Sequence, residues 1–364
     1  MTIPFIDLKT QYQDIKTSID ARIQKVLDHG QYIMGPEVRE LEERLETYTG
    51  SRHCITVASG TEALLISIMA LDIRPGDEII TTPFTFVSTV EVIVLMGAVP
   101  VFVDIEPDTC NIDARLIEAA ITPKTKAIIP VSLYGQPADM DAINAIAKKH
   151  CDIPVIEDAA QSFGANYKKR KSSNLSTIGC TSFFPSKPLG CYGDGGAIFT
   201  NDSKLASSMR AIRVHGQERR YSHTRIGVGG RMDTIQCAIV LAKLERFNWE
   251  IDQRQKIGTR YNDLLNDKLS YVTQRPSRTS VFAQYTIFTE NRHQVQKVLK
   301  KVGIPTSVHY PIPLNEQPAY RHLCCPDCTP ISQQRSRQVL SLPMSADLSD
   351  SAQELICSTL VAFI

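Results

Sequence analysis

Residues 53–72 read HCITVASGTEALLISIMALD, and this stretch decides the fold class. Its first five residues are mostly apolar or β-branched, which is typical of a buried strand, and residues 61–72 have a helical pattern. The same strand-then-helix order repeats as far as about residue 200. The seven strand-like runs are 53–57, 78–81, 100–104, 126–131, 154–158, 180–184 and 197–200. The pattern predicts an α/β protein whose mainly parallel, seven-stranded sheet is covered on both faces.

The helical patterns of this region and the remainder of the chain predict two domains. Between the strands, helices are predicted at 61–72, 86–97, 112–121 and 138–149. A longer helical pattern begins after Asp233 and runs to about Leu265. The region after it is mixed, with strand-like runs at 281–288 and 306–310 and helices near 291–302 and 350–362. We predict a large domain over 1–240 and a smaller α+β C-terminal domain over 241–364.

The charge balance argues against nucleic acid and membrane surfaces as partners. The chain carries 40 Lys and Arg residues against 39 Asp and Glu residues, so it has no basic excess to attract a polyanion. The sequence shows neither a signal peptide nor an apolar run long enough for a membrane span, so we expect a cytoplasmic location.

The ten cysteines are expected to stay reduced in that compartment. The run from His322 to Cys328 contains Cys324 and Cys325 and has a metal-like spacing, but a zinc site needs a further ligand pair. We therefore predict a cysteine-rich surface loop here and no metal.

Two motifs follow predicted strands and have both a binding and a structural interpretation. Ser59-Gly60-Thr61-Glu62 opens a helix, where free backbone N–H groups make an anion site, although it could equally be a helix cap without a ligand. Glu157-Asp158 ends a buried strand. A carboxylate there can keep a heteroaromatic ring nitrogen protonated, or it can simply cap the next turn.

Of two further motifs, one contains a lysine and the other follows it in the sequence. Ser182 and Lys187 lie in a turn rich in proline and glycine, where a desolvated amine would have a lowered pKa and act as a Schiff-base nucleophile. The alternative is an ordinary solvated lysine. Residues 193–196, Gly-Asp-Gly-Gly, would allow close packing under a cofactor or form a tight turn. Because ligands bind at the carboxyl ends of such strands, the four motifs together match pyridoxal 5′-phosphate (PLP), which needs a phosphate cradle, a carboxylate and an imine-forming lysine.

With these motifs the chain resembles the DegT-type sugar aminotransferases, a branch of the fold type I PLP enzymes. The motifs that carry the resemblance are GQYIMGPE at 30–37, SGTEA at 59–63, PFTFVST at 83–89, EDAAQ at 157–161, Ser186-Lys187, GDGG at 193–196 and RMDTIQ at 231–236. The resemblance implies that Lys187 binds the cofactor covalently and that Asp158 pairs with the pyridine nitrogen. It also implies that Gln161 lies near the ring hydroxyl and that Phe86 stacks on the ring. The implied phosphate ligands are Gly60, Thr61, Glu62 and Ser182.

The resemblance also implies a substrate and a mechanism. The runs at 130–136, 184–196, 215–221 and 309–314 resemble enzymes acting on UDP-2-acetamido-2-deoxy-3-oxo-glucuronate for lipopolysaccharide and O-antigen synthesis. The amino donor would be glutamate in a ping-pong exchange, Arg231 would bind the sugar carboxylate, and His309 and Tyr310 would line the sugar pocket. Each of these three has a purely structural alternative: a salt bridge, a packed histidine and a core tyrosine.

Other functions remain open at this point. They are amination of a dTDP- or UDP-linked keto-6-deoxy sugar, a sugar dehydratase on the same fold, and a non-catalytic regulatory homologue. The dehydratases have His where this chain has Lys187, and a non-catalytic protein would not need to keep Lys187 and Asp158 together.

The family's active sites are shared between subunits, so a homodimer is expected, with 215–231 as the exchanged segment. One position departs from the family pattern, because Gly229 stands where an Asn usually reaches the phosphate of the neighbouring subunit. The lost hydrogen bond would cost about 1.5–3 kcal/mol, so we expect weaker cofactor retention.

Overall fold

The computed structural model describes residues 3–363. The strands are β1 His53–Val57, β2 Glu78–Thr81, β3 Val99–Phe102, β4 Thr125–Ile128, β5 Ile156–Asp158, β6 Asn166–Tyr167, β7 Arg170–Lys171, β8 Ile178–Ser182, β9 Gly196–Thr200, β10 Gln217–Arg219, β11 Ser222–His223, β12 Ser270–Tyr271, β13 Tyr285–Phe288 and β14 Val339–Leu342. The helices are α1 Leu8–His29, α2 Pro36–Thr49, α3 Gly60–Ala70, α4 Ser88–Leu95, α5 Ala114–Ile117, α6 Met140–Lys149, α7 Ser203–Arg213, α8 Thr234–Leu265, α9 Arg292–Lys301, α10 Pro330–Gln338 and α11 Asp350–Val361.

Seven strands form the central sheet, and each overlaps one of the seven predicted runs, with shifts of up to two residues at their starts. One group pairs in the order β1-β9-β8-β5 and a second in the order β3-β2-β4. Parallel bridges from Ile128 to Val155 and from Val131 to Asp158 join β4 to β5. The sheet therefore reads β3-β2-β4-β5-β8-β9-β1, and β9 is antiparallel to both of its neighbours while the other pairs are parallel. The predicted mainly parallel α/β sheet is confirmed.

Helices cover both faces of this sheet because its central strands are apolar throughout. On one face, Ile55, Ile178 and Ile198 pack in a cluster that contains Leu64 and Ile66 of α3. On the other face, Phe199 joins a cluster with Leu41 of α2 and residues of α8. Because both faces are buried, polar side chains that bind a ligand are expected at the carboxyl ends of the strands.

The C-terminal part packs around the far end of α8. Tyr261 of α8 lies in one cluster with Tyr285 of β13, Leu340 of β14 and Ile356 of α11. Strands β12, β13 and β14 form an antiparallel sheet. The predicted boundary near residue 240 falls inside α8, and the division into two domains stays a prediction.

Two predicted strands of the C-terminal region differ from the structure: 306–310 forms only an isolated bridge from Ser307 to Ser341, and 281–288 is wrong over its first half. The run 281–288 forms a strand only at Tyr285–Phe288. Val281 instead donates its N–H to the carbonyl oxygen of Gly135, and Phe282 has a φ of 43°, so the chain turns towards the large sheet before it enters β13. Within residues 3–363, no helix has both the length and the hydropathy required to cross a membrane.

Candidate active site

A cavity of about 480 Å³ opens at the carboxyl ends of β1, β2, β5 and β8. Most of the site residues predicted from the sequence line this cavity, although the first and last of them are more than 240 residues apart in the chain. The predicted residues that line it are Gly60, Thr61, Phe86, Asp158, Gln161, Ser182, Lys187, His309 and Tyr310. Glu62 and Arg231 are not among the lining residues.

Lys187 lies on a loop whose ends are joined by backbone hydrogen bonds, and its side chain lines the cavity. The N–H of Phe183 donates to the carbonyl oxygen of Gly195, and the N–H of Cys191 donates to the carbonyl oxygen of Phe183, both at 2.7 Å. Burial in the cavity lowers the pKa of the Lys187 amine, and the negative charge of Asp158 opposes this only in part. A larger fraction of the amine is therefore neutral, which is the form that attacks a carbonyl carbon.

Asp158 is the carboxylate that faces the cavity, whereas Glu157 faces away from it. Thr89 Oγ1 donates to Asp158 Oδ2 at 2.8 Å, and the N–H of Ala160 donates to Oδ1 at 3.2 Å. Burial raises the pKa of Asp158, and these hydrogen bonds and the charge of Lys187 oppose that rise. Glu157 is fully buried and accepts hydrogen bonds from the Ser132 and Ser172 hydroxyls, so its role is structural.

The start of α3 forms a cradle with the end of β8. A Cβ on Gly60 would lie 2.7 Å from the Cβ of Ser182, so only glycine allows this approach. The first amides of a helix have no acceptor within it, which leaves those of Gly60 and Thr61 for a ligand. The Thr61 hydroxyl lies 2.8 Å from that of Ser88.

The structure does not support Glu62 as part of this cradle. Its N–H donates to Ser59 Oγ at 3.0 Å, because Ser59 is the N-cap of α3. Its carboxylate points towards Gly230, where a Cβ would lie 2.7 Å from Oε2, and burial raises the Glu62 pKa.

Gln161 is fixed at both ends of its amide. Its Oε1 accepts the N–H of Tyr134 at 2.8 Å, and its Nε2 donates to the hydroxyl of Tyr310 at 3.1 Å. The Tyr310 hydroxyl thus keeps its own proton for another acceptor. Phe86 is 51% exposed and lines the cavity with its ring centroid 6.3 Å from that of Tyr310.

His309 lines the cavity as a neutral ring. Burial, and then the nearby charge of Lys187, lowers the pKa of His309 to about 4. Its Nδ1 lies 2.9 Å from Ser341 Oγ and its Nε2 lies 3.4 Å from Ser307 Oγ. The hydroxyl groups of the C-terminal region therefore set the orientation of the ring.

Arg231 is not among the residues that line the cavity of its own chain, and its role in binding the substrate stays a prediction. It is half-buried at the end of the glycine-rich segment before α8. Its guanidinium would lie 3.7 Å from a Cβ on Gly229, so it faces that segment.

Several lining residues were not assigned from the sequence. Thr85 and Ser88 follow β2, and a run of hydroxyls at a strand end is a signal that could have identified them. Gln284 precedes β13 and reaches the cavity from the C-terminal region. Nothing in its local sequence indicates that contact.

Comparison with known proteins agrees with this arrangement. A model of the DegT/DnrJ/EryC1/StrS aminotransferase family matches residues 13–361. The chain belongs to this family.

Three known proteins are similar to this chain in sequence or in structure over nearly its whole length. It is 58% identical, over 98% of its length and 99% of the relative, to the UDP-2-acetamido-2-deoxy-3-oxo-D-glucuronate aminotransferase of Pseudomonas aeruginosa. Its structure matches that of a family aminotransferase from Brucella abortus with a TM-score of 0.97, at 41% identity and covering 99% of both chains. It matches NtdA from Bacillus subtilis, solved with bound PMP, with a TM-score of 0.89, at 29% identity and covering 98% of this chain and 82% of that one. This DegT-family protein is a PLP-dependent aminotransferase of fold type I.

Proposed function

We propose that the enzyme transfers an amino group to C3 of UDP-2-acetamido-2-deoxy-3-oxo-glucuronate, with glutamate as donor. The proposal rests on one observation, the full-length similarity to a relative of that activity at 58% identity. We further propose that the reaction takes place in the cytoplasm and supplies lipopolysaccharide or O-antigen synthesis.

The residues of the cavity fit PLP. The amine of Lys187 and the carboxylate of Asp158 face one space, and the free amides of Gly60 and Thr61 border it. When bound, PLP supplies a reactive aldehyde and an electron-accepting ring.

We assign a role to each of these side chains. Lys187 would attach the cofactor and, once displaced by an amino donor, carry a proton between donor and cofactor carbon atoms. Asp158 would remain ionised beside the ring nitrogen and hold a proton there. Phe86 would stack on the ring, since a flat aromatic group packs well against another.

The polar residues around them would orient the cofactor. The amides of Gly60 and Thr61 and the hydroxyls of Thr61 and Ser182 would bind the phosphate. Because Gln161 Nε2 already donates to Tyr310, we propose that these two residues act together near the ring hydroxyl. Tyr310 and His309 would also form the wall against which the sugar lies.

A homodimer with shared active sites would account for Arg231. The hairpin of β10 and β11 and the residues after it expose large apolar side chains, with Tyr221 81% and Ile226 85% exposed. We propose that segment 215–231 packs on a second subunit and brings Arg231 to the carboxylate of the sugar in that subunit's cavity. A guanidinium suits a bidentate carboxylate.

The first experiment tests the cofactor assignment. Purified protein incubated with PLP should gain an absorbance band in the violet, and borohydride should abolish it and leave the label on Lys187. Lys187→Ala should retain neither the label nor turnover. A label on another lysine would exclude the assignment.

The second experiment tests the substrate. The loaded enzyme is offered glutamate with the 3-keto uronate, and separately with a neutral 3-keto-6-deoxy sugar on UDP or dTDP. A higher kcat/KM for the uronate supports the proposed substrate, and a higher value for a 6-deoxy sugar would replace it. Release of 2-oxoglutarate identifies the donor.

A further inference from the structure

Cys325 and Cys328 form a pair of neighbouring thiols on the surface, away from the cavity. Both are free and exposed, and they flank Pro326-Asp327 in a Cys-X-X-Cys sequence. Residues Pro326–Cys328 form a single 3₁₀ turn, which folds the second cysteine back towards the first. The Cys328 thiol donates to the carbonyl oxygen of Cys325 at 2.8 Å.

Cys324 is a third thiol near this pair, but it is less exposed than the other two. Its side chain is partly buried and packs against a cluster of Val90, Phe102 and Leu314 beside α4. In residues 3–363, no group of three His, Cys, Asp or Glu side chains is placed to hold a metal ion.

Two adjacent solvent-facing thiols without a metal can exchange with disulfides. A thiolate attacks a disulfide sulfur, and a second thiol at short range resolves the mixed disulfide. In a reducing compartment such pairs are redox sites rather than permanent crosslinks. The proton of the Cys328 thiol is engaged in the hydrogen bond to the Cys325 carbonyl oxygen, which favours Cys325 as the attacking group.

We propose that Cys325 and Cys328 are a reversible redox site that closes to an intramolecular disulfide with a small-molecule disulfide such as oxidised glutathione. The Cys325 thiolate bonds to one sulfur of the oxidant and releases the first glutathione as a thiol. The Cys328 thiolate then bonds to the Cys325 sulfur and releases the second. The two protein thiols lose two electrons and two protons in total, and the oxidant is reduced to two thiols.

The site is attached to a wall of the catalytic cavity through buried groups. Thr329 follows Cys328, and its hydroxyl accepts a hydrogen bond from Asn315 Nδ2 at 2.9 Å. The neighbouring Leu314 donates its N–H to the carbonyl oxygen of Pro83 at 2.9 Å, three residues before Phe86. These bonds anchor both ends of segment 314–329, so the thiol pair is held on a fixed base.

The test follows the thiols themselves, so its result does not depend on aminotransferase activity. The full-length protein, reduced and then equilibrated with defined ratios of reduced to oxidised glutathione, is quenched with acid, alkylated and digested for mass spectrometry. We expect Cys325 and Cys328 to lose alkylation together and their peptide to carry an internal disulfide, which excess reduced glutathione reverses. The exposed, isolated Cys151 should form only a glutathione adduct.

Variants separate the pair from its neighbour. Cys328→Ser should trap a glutathione adduct on Cys325, whereas Cys324→Ser should leave the disulfide unchanged. The proposal is overturned if both thiols stay reduced, or carry separate adducts, at ratios at which Cys151 reacts. It is also overturned if Cys324→Ser abolishes the disulfide, because the pairing would then involve the partly buried Cys324.

Discussion

Thr89 donates its hydroxyl proton to Oδ2 of Asp158 at 2.8 Å, and both residues are buried. Thr89 belongs to α4, and its hydroxyl also lies 3.1 Å from that of Thr85. Helix α4, which connects β2 to β3, thereby orients the Asp158 carboxylate at the end of β5. Since burial alone raises the pKa of Asp158, this bond is one of the few contacts that favour its charged form.

Replacing Thr89 by valine should weaken catalysis and shift its pH dependence. The loss of a hydrogen bond to a charged group costs about 1.5–3 kcal/mol, which corresponds to a roughly ten- to 150-fold fall in kcat/KM. The pKa of Asp158 would rise further, so the acidic limb of the profile of kcat/KM against pH should move to higher pH.

Thr89→Ser is the matched control because it keeps the hydroxyl. It should restore most of the activity and the original acidic limb. If serine and valine give the same profile, the methyl packing of Thr89 matters and its hydrogen bond does not.

Glu42 of α2 should stabilise the fold through a buried ion pair. Its Oε1 lies 2.6 Å from Arg213 Nη1, and its Oε2 lies 2.6 Å from Arg210 Nη1. Burial would raise the pKa of Glu42, but the two arginines outweigh burial and lower it. Glu42→Gln leaves Arg213 buried without its counter-charge, so the free energy of unfolding should fall by about 3–5 kcal/mol.

The pH dependence of this contribution has a definite sign. A carboxyl group with a lowered pKa in the folded state stabilises the protein above the ordinary glutamate value, and this is lost as the pH falls through the folded pKa. The difference in unfolding temperature between wild type and Glu42→Gln should therefore be largest near neutral pH and shrink in acid. Glu43→Gln, which removes an exposed pair with Arg39, should change stability by less than about 0.5 kcal/mol.

Gly229→Asn should improve cofactor retention. The residue usual in the family would restore a hydrogen bond to phosphate, worth about 1.5–3 kcal/mol. The new Cβ would lie 3.2 Å from His215 Cε1, so the imidazole has to shift slightly. The rate of PLP loss on dialysis should fall relative to wild type, and Gly229→Ala, which has the same contact without the amide, should not show this gain. A faster loss in Gly229→Asn would mean that the imidazole cannot give way.

Arg231→Ala should discriminate between substrates. The KM for the keto-uronate should rise sharply, while that for a neutral keto-6-deoxy sugar should change little, because only the former presents a carboxylate. Mixing this variant with Lys187→Ala tests the shared site, since a mixed dimer would contain one intact cavity and regain part of the activity. Equal effects on both sugars would remove the carboxylate role.

The sequence predicts the central sheet well because each strand is marked locally. The long helix was predicted from Asp233 to about Leu265 and extends over Thr234–Leu265, since its start and its periodicity both lie in the local sequence. Helices α1 and α2 were not predicted, although Asp7 caps the first and Gly30 ends it. These capping residues were the available signal.

The site is less predictable wherever a contact depends on distant chain. Asp158 and Lys187 could be paired from the sequence because both follow strands of one sheet. The approach of the Glu62 carboxylate to Gly230, and the contact of Gln284 with the cavity, depend on three-dimensional packing. The turn at Phe282 likewise depends on Gly135, a residue of another domain by sequence.

The reversed direction of β9 has a consequence for evolution and engineering. Because Ser182 of β8 pairs with Gly196 of β9, the polypeptide that bears the reactive amine leaves and re-enters the sheet at one place. A short closed excursion loses little chain entropy when it is ordered. Within this excursion Phe183, Leu189 and Cys191 pack into the core, so we expect variation that preserves the scaffold at its exposed positions, such as Phe184.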